Sequence, residues 1–137
     1  MKDRLFLQIR SILLPYKEKG GPCLLAFSGG MDSSALFHLL VKLSFPFHAA
    51  YVNHGWRDNS DLEAIELQAL CESKGIPFAH LKVSNFDFSR GNIEDRLRME
   101  RHRLLRDYAK KIGARGLVFA HHRDDQVETV VKRLFEG

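Results

Sequence analysis

The chain has 137 residues, and 21 Lys and Arg against 17 Asp and Glu give it a formal charge of +4. That length is typical of one domain, and a hydrophobic share of 45% excludes a disordered or low-complexity protein. Two cysteines are too few for a disulfide framework or a four-thiolate zinc site, and they indicate a reducing compartment. Because the apolar runs are much shorter than the roughly 20 residues of a membrane span, and the N-terminus lacks the pattern of a signal peptide, we expect a cytoplasmic protein without a membrane partner.

The hydrophobic pattern alternates between helical and strand periods along the chain. Residues 2–14 are predicted to form an amphipathic helix, and the apolar run 23–27 predicts a strand buried on both faces. A helix over 31–44 is predicted to bury a stripe of five residues: Ala35, Leu36, Leu39, Leu40 and Leu43. The remaining predicted elements are a strand over 47–53, a helix from the capping box at 60–63 to about Gly75, a strand over 78–83, a helix from the Asn92 cap to Ile112, a strand over 116–120 and a helix over 124–135.

This order of elements predicts an α/β fold, a doubly wound parallel sheet with helices on both faces. Ligands of such sheets bind at the carboxyl ends of the strands, where the strand order reverses. The residues that follow Phe27, Asn53 and Ala120 are therefore expected to face one crevice.

The first of these stretches combines small and polar residues: Ser28, Gly29, Gly30, Met31, Asp32 and Ser33. Glycines allow backbone amides to approach an anion closely, and a helix N-terminus adds partial positive charge. The stretch has neither the lysine of a G-x-x-x-x-G-K-[ST] loop nor a G-x-G-x-x-G pattern. Asp32 would repel a phosphate unless Mg²⁺ lies between them. The alternative is a tight turn in which Asp32 only complements the helix dipole.

This motif resembles the PP-loop of the N-type ATP pyrophosphatases, which hold the pyrophosphate of ATP and release it while transferring AMP. Within that superfamily, 23–137 resembles the N-terminal domain of the tRNA(Ile)-lysidine synthetase family. Three further segments carry the resemblance: Val-Asn-His-Gly-Trp-Arg at 52–57, Asn-Ile-Glu at 92–94 with Arg98 and Arg101, and Ala-His-His-Arg-Asp-Asp-Gln-Val-Glu-Thr at 120–129. The resemblance implies a Rossmann-like, adenine nucleotide alpha hydrolase-like fold. It also implies that 1–137 is a catalytic domain that lacks the family's C-terminal tRNA-binding regions.

The second stretch offers an imidazole and a guanidinium, those of His54 and Arg57. Both fit an ordinary polar surface loop, and the resemblance implies a contact with the nucleotide or the tRNA. Arg101 stands apart, because it falls in the apolar stripe of the helix that follows Asn92. A guanidinium there must be paired, extend to solvent or face a polar cavity, and the resemblance implies an active-site role.

The third stretch contains two histidines, His121 and His122, and the carboxylates of Asp125 and Glu128. On a helix, carboxylates three residues apart share one face and attract a cation such as a lysine ammonium. Helix capping and a hydrolytic metal site are the alternatives. The resemblance implies recognition of a substrate lysine by Asp125 and Glu128.

The resemblance implies a two-step reaction with ATP as substrate and Mg²⁺ as cofactor. The wobble cytidine of a tRNA(Ile) with a CAU anticodon is adenylated, and free lysine then displaces AMP. The implied catalytic residues are Asp32 (as the Mg²⁺ ligand), Arg101, His121, Asp125 and Glu128, and a homodimer is compatible with the sequence. The competing interpretations are a PP-loop tRNA thiolase and an ATP-binding module without chemistry of its own.

Overall fold

The computed structural model describes residues 7, 10–11, 21–27, 31–53, 60–84, 86–123 and 126–133. Its elements are β1 (Cys23–Phe27), α1 (Met31–Lys42), β2 (Phe47–Asn53), α2 (Ser60–Ser73), β3 (Phe78–Lys82), α3 (Ile93–Ile112), β4 (Gly116–Arg123) and β5 (Gln126–Arg133). Of the predicted N-terminal helix, Leu7, Arg10 and Ser11 are helical and exposed, and the rest lies outside the described residues. Among the described helices, none is both long and apolar enough to cross a membrane.

The five strands form one sheet in the order β3-β2-β1-β4-β5. β1, β2, β3 and β4 run parallel, whereas β5 runs antiparallel to β4. The chain moves outward from β1 through β2 to β3 and then crosses to the other side of β1 as β4. The strand order therefore reverses between β1 and β4, which confirms the predicted doubly wound sheet.

Residues of β1 alternate between two hydrophobic clusters, one on each face of the sheet. Leu25 and Phe27 pack in the cluster that includes α1 and α2, whereas Leu24 and Ala26 pack in the cluster that includes α3. Every residue of β1 is buried, because this central strand is covered on both faces. The ring of Phe37 is fully buried on α1 and lies 5.6 Å from the rings of both Phe27 and Phe47. Burial of a ring of this size contributes about 2 kcal/mol.

The buried stripe of α1 differs from the prediction at one position. Leu36 and Leu40 are buried as expected, but Ala35 is exposed and Phe37 is buried in its place. Successive helical residues are about 100° apart, so the buried face cannot include positions on both sides of Leu36. Because Phe37 has the larger apolar area, the helix is rotated about its axis so that Phe37, and not Ala35, faces the core.

The ends of α3 are set by local interactions that can be recognised in the sequence. Asn92 is the N-cap, and its Oδ1 accepts a hydrogen bond from the backbone N–H of Asp95 at 3.4 Å. Gly113 ends the helix in the left-handed conformation, at φ 70°, and its N–H bonds the carbonyl oxygen of Lys110 at 3.2 Å. Because β3 ends at the carboxyl edge of the sheet and α3 leads back to the start of β4, the first turns of α3 lie near that edge.

The predicted helix over 124–135 is wrong. Residues Gln126–Arg133 form β5, which pairs with β4 from Arg123 opposite Gln126 to Gly116 opposite Arg133. Four of its eight residues are β-branched and favour a strand: Val127, Thr129, Val130 and Val131. The same pairing extends β4 to Arg123, beyond the predicted end at Ala120.

The side chain of His48 on β2 has a buried nitrogen atom that forms no hydrogen bond with a described residue. The residue is half-buried opposite Leu24 of β1, and its Nδ1 has no hydrogen-bond partner among the described residues. Burial lowers the pKa of His48 below its ordinary value of 6.5. The unfolded chain therefore binds the proton more tightly than the folded chain, so stability falls as the pH drops below the unfolded pKa.

We expect His48→Leu to raise the free energy of unfolding by about 1 kcal/mol at neutral pH, because an apolar side chain leaves no unsatisfied nitrogen. This gain in unfolding free energy should increase towards about pH 5, because protonation of the imidazole then stabilises the unfolded wild-type chain more than the folded one. Urea unfolding at both pH values measures this, with His38→Leu on the exposed side of α1 as the control. An identical gain at both pH values would contradict the titration argument.

Candidate functional site

The carboxyl ends of β1, β2 and β4 meet at one edge of the sheet. Phe27, the last residue of β1, is paired with Tyr51, two residues before the end of β2. On the other side, Leu25 is paired with Val118, so Ala120 lies level with Phe27. Because the strand order reverses between β1 and β4, this edge has the geometry of a ligand-binding crevice.

The stretch predicted to bind ATP connects β1 to α1 at this edge. Met31, Asp32 and Ser33 form the first turn of α1, whereas Ser28, Gly29 and Gly30 lie outside the described residues. Backbone N–H groups in the first turn of a helix have no partner within the helix, and the helix dipole adds partial positive charge there. The backbone at 31–33 is therefore suited to an anion such as a phosphate.

A polar network joins the end of β2 to α2 and β3, and it was not predicted from the sequence. The Tyr51 hydroxyl donates a hydrogen bond to Oε2 of Glu63 on α2 at 2.7 Å. The Tyr51 ring packs against the His80 ring of β3, with centroids 5.8 Å apart. Nδ2 of the buried Asn53 lies 3.2 Å from Nε2 of His80. The sequence indicates part of this network, because side chains two residues apart on a strand, such as Tyr51 and Asn53, lie on the same face of β2.

This network restrains the residue that precedes the predicted contact loop. An amide nitrogen can only donate, so the contact between Asn53 and His80 is a hydrogen bond when Nε2 of His80 is unprotonated. The carbonyl oxygen of Asn53 also accepts from the N–H of Val83 at 3.0 Å. Both backbone and side chain of Asn53 are thus tied to the β3 side of the sheet. His54 and Arg57, which follow, lie outside the described residues.

Arg101 lies where the sequence predicted it, in the buried row of α3. Leu97, Leu105 and Ala109 are the buried residues of this helix, and Arg101 falls between the first two at four-residue steps. Its side chain is half-buried, and it forms no hydrogen bond or ion pair with another described residue. Desolvation, with the nearby charge of Arg98, lowers the pKa of Arg101.

The position of Arg101 along α3 relates it to the crevice. Leu105 packs in the same cluster as Ala26 and Val52, which are near the ends of β1 and β2. Arg101 is four residues, about 6 Å along the helix axis, closer than Leu105 to the carboxyl edge. A partly desolvated guanidinium that has no ion pair within the described part of the chain is suited to a bound anion near this edge.

The third stretch is arranged differently from the prediction. His121 and His122 are within β4, Glu128 is the third residue of β5, and Asp125 lies outside the described residues. Asp125 and Glu128 therefore do not share the face of a helix, and that part of the argument is wrong. The strand register instead makes His121 and Glu128 direct cross-strand neighbours.

Both cysteines are buried in the hydrophobic cluster beneath α1 and α2. Burial raises the pKa of Cys23 to about 12 and that of Cys71 to about 11. Both thiols are therefore protonated at neutral pH and poorly suited to act as nucleophiles. Within the described part of the chain, no group of three or more His, Cys, Asp or Glu side chains could hold a metal ion.

Comparison with known proteins agrees with this geometry. Residues 3–137 match the model of the PP-loop domain family. The tRNA(Ile)-lysidine synthase of Chlamydia pneumoniae is 41% identical over 114 residues, which cover 83% of this chain and 36% of that protein. The tRNA(Ile)-lysidine synthase of Protochlamydia amoebophila is 36% identical over 134 residues, which cover 95% of this chain and 29% of that protein. The chain thus spans about a third of the length of the curated relatives it matches.

Solved structures share the fold at low sequence identity. A U34-tRNA thiolase from Methanococcus maripaludis has a TM-score of 0.72 and 18% identity, covering 85% of this chain and 44% of its own. An NH3-dependent NAD synthetase from Campylobacter jejuni has a TM-score of 0.58 and 18% identity, covering 85% of this chain and 55% of its own. At this identity the likeness concerns the fold alone. The family match over 3–137 is decisive, and the chain belongs to the PP-loop domain family.

Proposed function

We propose that this chain is the catalytic domain of a tRNA(Ile)-lysidine synthetase that works in the cytoplasm. ATP adenylates the C2 oxygen of the wobble cytidine in a tRNA(Ile) with a CAU anticodon, and pyrophosphate leaves. The side-chain amine of free lysine then attacks C2 and expels AMP. The observation that carries the proposal is the 36–41% identity to two tRNA(Ile)-lysidine synthases over 83–95% of this chain. The reversal of strand order between β1 and β4 supports it, because it supplies a crevice for the nucleotide.

In this proposal the stretch after β1 binds ATP. Backbone amides and hydroxyls hold the pyrophosphate, and they come from Ser28, Gly29, Gly30, Met31 and Ser33. The N-terminus of α1 adds positive charge where the phosphates collect. Asp32 fits a Mg²⁺ ion, because that ion is usually bound by one or two carboxylates together with substrate phosphates. When bound, the ion neutralises phosphate charge.

Arg101 and His121 are proposed to stabilise negative charge on the phosphate or on the activated base. Arg101 is suited to this role because it forms no hydrogen bond or ion pair with another described residue and lies towards the carboxyl edge. Fixed cationic groups in a partly desolvated site lower the energy of a transition state more than they do in water. His54 and Arg57 follow the buried Asn53 in the sequence by one and four residues, and we propose that they contact the nucleotide or the tRNA.

Asp125 and Glu128 are proposed to bind the substrate lysine. Two carboxylates attract the α-ammonium or side-chain ammonium of lysine and orient the amine for attack. The pairing of Glu128 with His121 supports this role, because the strand register puts Glu128 beside the C-terminal part of β4.

The thiolase alternative is weakened by the cysteines. Sulfur transfer generally requires a reactive thiolate, and the two cysteines of this chain are buried with raised pKa values. The decisive assay combines the chain with ATP, labelled lysine and a tRNA(Ile) transcript, and it scores lysine incorporation and AMP. A transcript with an altered CAU anticodon is the control. ATP binding without AMP formation would identify a binding module and refute the proposal.

We expect Asp125→Ala to separate the two steps. Adenylation, read as pyrophosphate release with tRNA present, should continue, while lysine incorporation should fall at least about 100-fold because the amine is no longer positioned. Glu72→Gln on the exposed last turn of α2 is the control. Unchanged lysine affinity in the Asp125→Ala variant would contradict the carboxylate pocket.

A further inference from the structure

A cavity lies at the start of α3, outside the stretches proposed to bind ATP and lysine. It has a volume of about 430 Å³ and lies between the loop after β3 and the first two turns of α3. Six residues line it: Ser84, Phe86, Asp87, Arg96, Met99 and Glu100. None of them belongs to the proposed ATP or lysine site.

One wall of this cavity is a rigid stack of Arg96 on Phe86. The guanidinium carbon of Arg96 lies 4.5 Å from the centre of the Phe86 ring. One nitrogen of Arg96 donates to the carbonyl oxygens of Asp87 at 2.7 Å and Arg90 at 2.5 Å. The Phe88 ring meets the Phe86 ring edge-on, with centroids 4.8 Å apart. The planar surface is therefore held in place before any ligand arrives, which lowers the entropic cost of binding.

The two carboxylates that line the cavity already accept hydrogen bonds. Glu100 accepts two hydrogen bonds from Arg103, at 3.0 Å and 2.8 Å. Oδ1 of Asp87 accepts from the backbone N–H and the hydroxyl of Ser89. The guanidinium of Arg96 donates to backbone carbonyl oxygens and is stacked on the Phe86 ring, so it presents a planar face to the cavity. A neutral ligand with a planar face and polar edges is favoured.

The rim of the cavity exposes apolar surface that a soluble domain usually buries. Met99 is 72% exposed and Phe88 is 40% exposed, and both lie beside the stack. Unpaired nucleic-acid bases are recognised by surfaces of this kind, because they stack on aromatic rings and on arginine planes and hydrogen-bond through their edges. Further along α3, the exposed cations Arg98, Arg106 and Lys110 provide positive charge for a phosphate backbone.

We propose that this cavity binds one unpaired base of the RNA strand next to the nucleotide that reacts. The inference rests on the proposed function, which brings a single-stranded RNA loop to the carboxyl edge of the sheet. The cavity lies on the loop that leaves β3 at that edge, so a strand that enters the crevice can extend into it. Stacking against Phe86 and Arg96 supplies affinity, and Ser84 and Asp87, which also line the cavity, offer hydrogen-bonding groups for the polar edge of the base.

The test is photo-crosslinking of this chain to an anticodon stem-loop of tRNA(Ile), followed by mass spectrometry of the adducts. Ultraviolet light joins stacked bases to aromatic residues, so the wild-type chain should carry an adduct at Phe86 or Phe88. Phe86→Leu should lose that adduct and bind the stem-loop about ten-fold more weakly, while Phe86→Tyr should retain both. Leu62→Ala, a 61% exposed position on α2 across the sheet, is the matched control. Unchanged ATP affinity in each variant shows that the fold is intact.

Two results would overturn the inference in different ways. Adducts that map only to other segments, with RNA affinity unchanged in Phe86→Leu, would refute the base pocket and leave the proposed function standing. A wild-type chain that neither crosslinks to the stem-loop nor forms AMP with it would refute the proposed function and the pocket together.

Discussion

Arg101→Met should lower the formation of AMP and pyrophosphate at least about 100-fold and leave the free energy of unfolding unchanged or higher. The two effects have one cause. Arg101 lies in the buried row of α3 with a pKa lowered by desolvation, and it forms no ion pair with another described residue that its replacement would break. Methionine has similar length and no charge, and it removes the desolvation cost. If the guanidinium serves the bound substrate as proposed, its loss should affect the reaction and not the fold.

The measurement combines single-turnover assays with urea unfolding of the same preparations. Lys111→Met is the control, because Lys111 is an exposed cation in the last turn of the same helix. Its rate should remain within about three-fold of the wild type, as is usual for an exposed charge. Equal losses of rate in both variants, or a loss of stability of several kcal/mol in Arg101→Met, would show that Arg101 is structural.

Asp32→Asn should abolish pyrophosphate release while the fold persists. The substitution keeps the size of the side chain and removes the charge proposed to hold Mg²⁺ against the phosphates, and each such electrostatic contact changes rates about 100-fold or more. The stability cost should stay near 0.3–1 kcal/mol, because Asp32 lies in the first turn of α1 and interacts favourably with the helix dipole.

Calorimetric titration with ATP, with and without Mg²⁺, distinguishes this role from a structural one. In the wild type Mg²⁺ should tighten ATP binding, and in Asp32→Asn that dependence should vanish. Asp61→Asn is the matched control, because Asp61 is the second residue of α2 just as Asp32 is the second residue of α1. A Mg²⁺ dependence that survives in Asp32→Asn would refute the metal role.

The elements predicted most accurately depend on local interactions. β1 and β2 have the predicted ends, and α3 has its predicted Asn92 cap and its predicted end at Ile112, where Gly113 follows. A continuous apolar run, an Asx cap and a left-handed glycine act within a few residues, so they are readable without knowledge of the fold. The placement of Arg101 among apolar residues follows from the same helical period.

The errors concern interactions between elements distant in sequence. The polar pattern after β4 predicted a helix, but pairing along β4 makes Gln126–Arg133 an edge strand. Strand formation depends on a partner strand more than on the segment's own pattern, and β-branched residues then prevail. Likewise Phe37 replaces Ala35 in the buried face of α1, because the rings of Phe27 and Phe47 lie against it.

Local sequence patterns are enough to predict the alternation of strands and helices, a stretch suited to phosphates and an arginine among apolar residues. The tertiary structure was needed to establish that β4 lies beside β1, where the strand order reverses and the strand ends meet. It also decided that Asn53 is tied to His80 and that Phe86 and Arg96 form a stacked wall. Periodicity and caps are local properties of a chain, whereas strand order, polar networks and cavities arise when distant segments pack together.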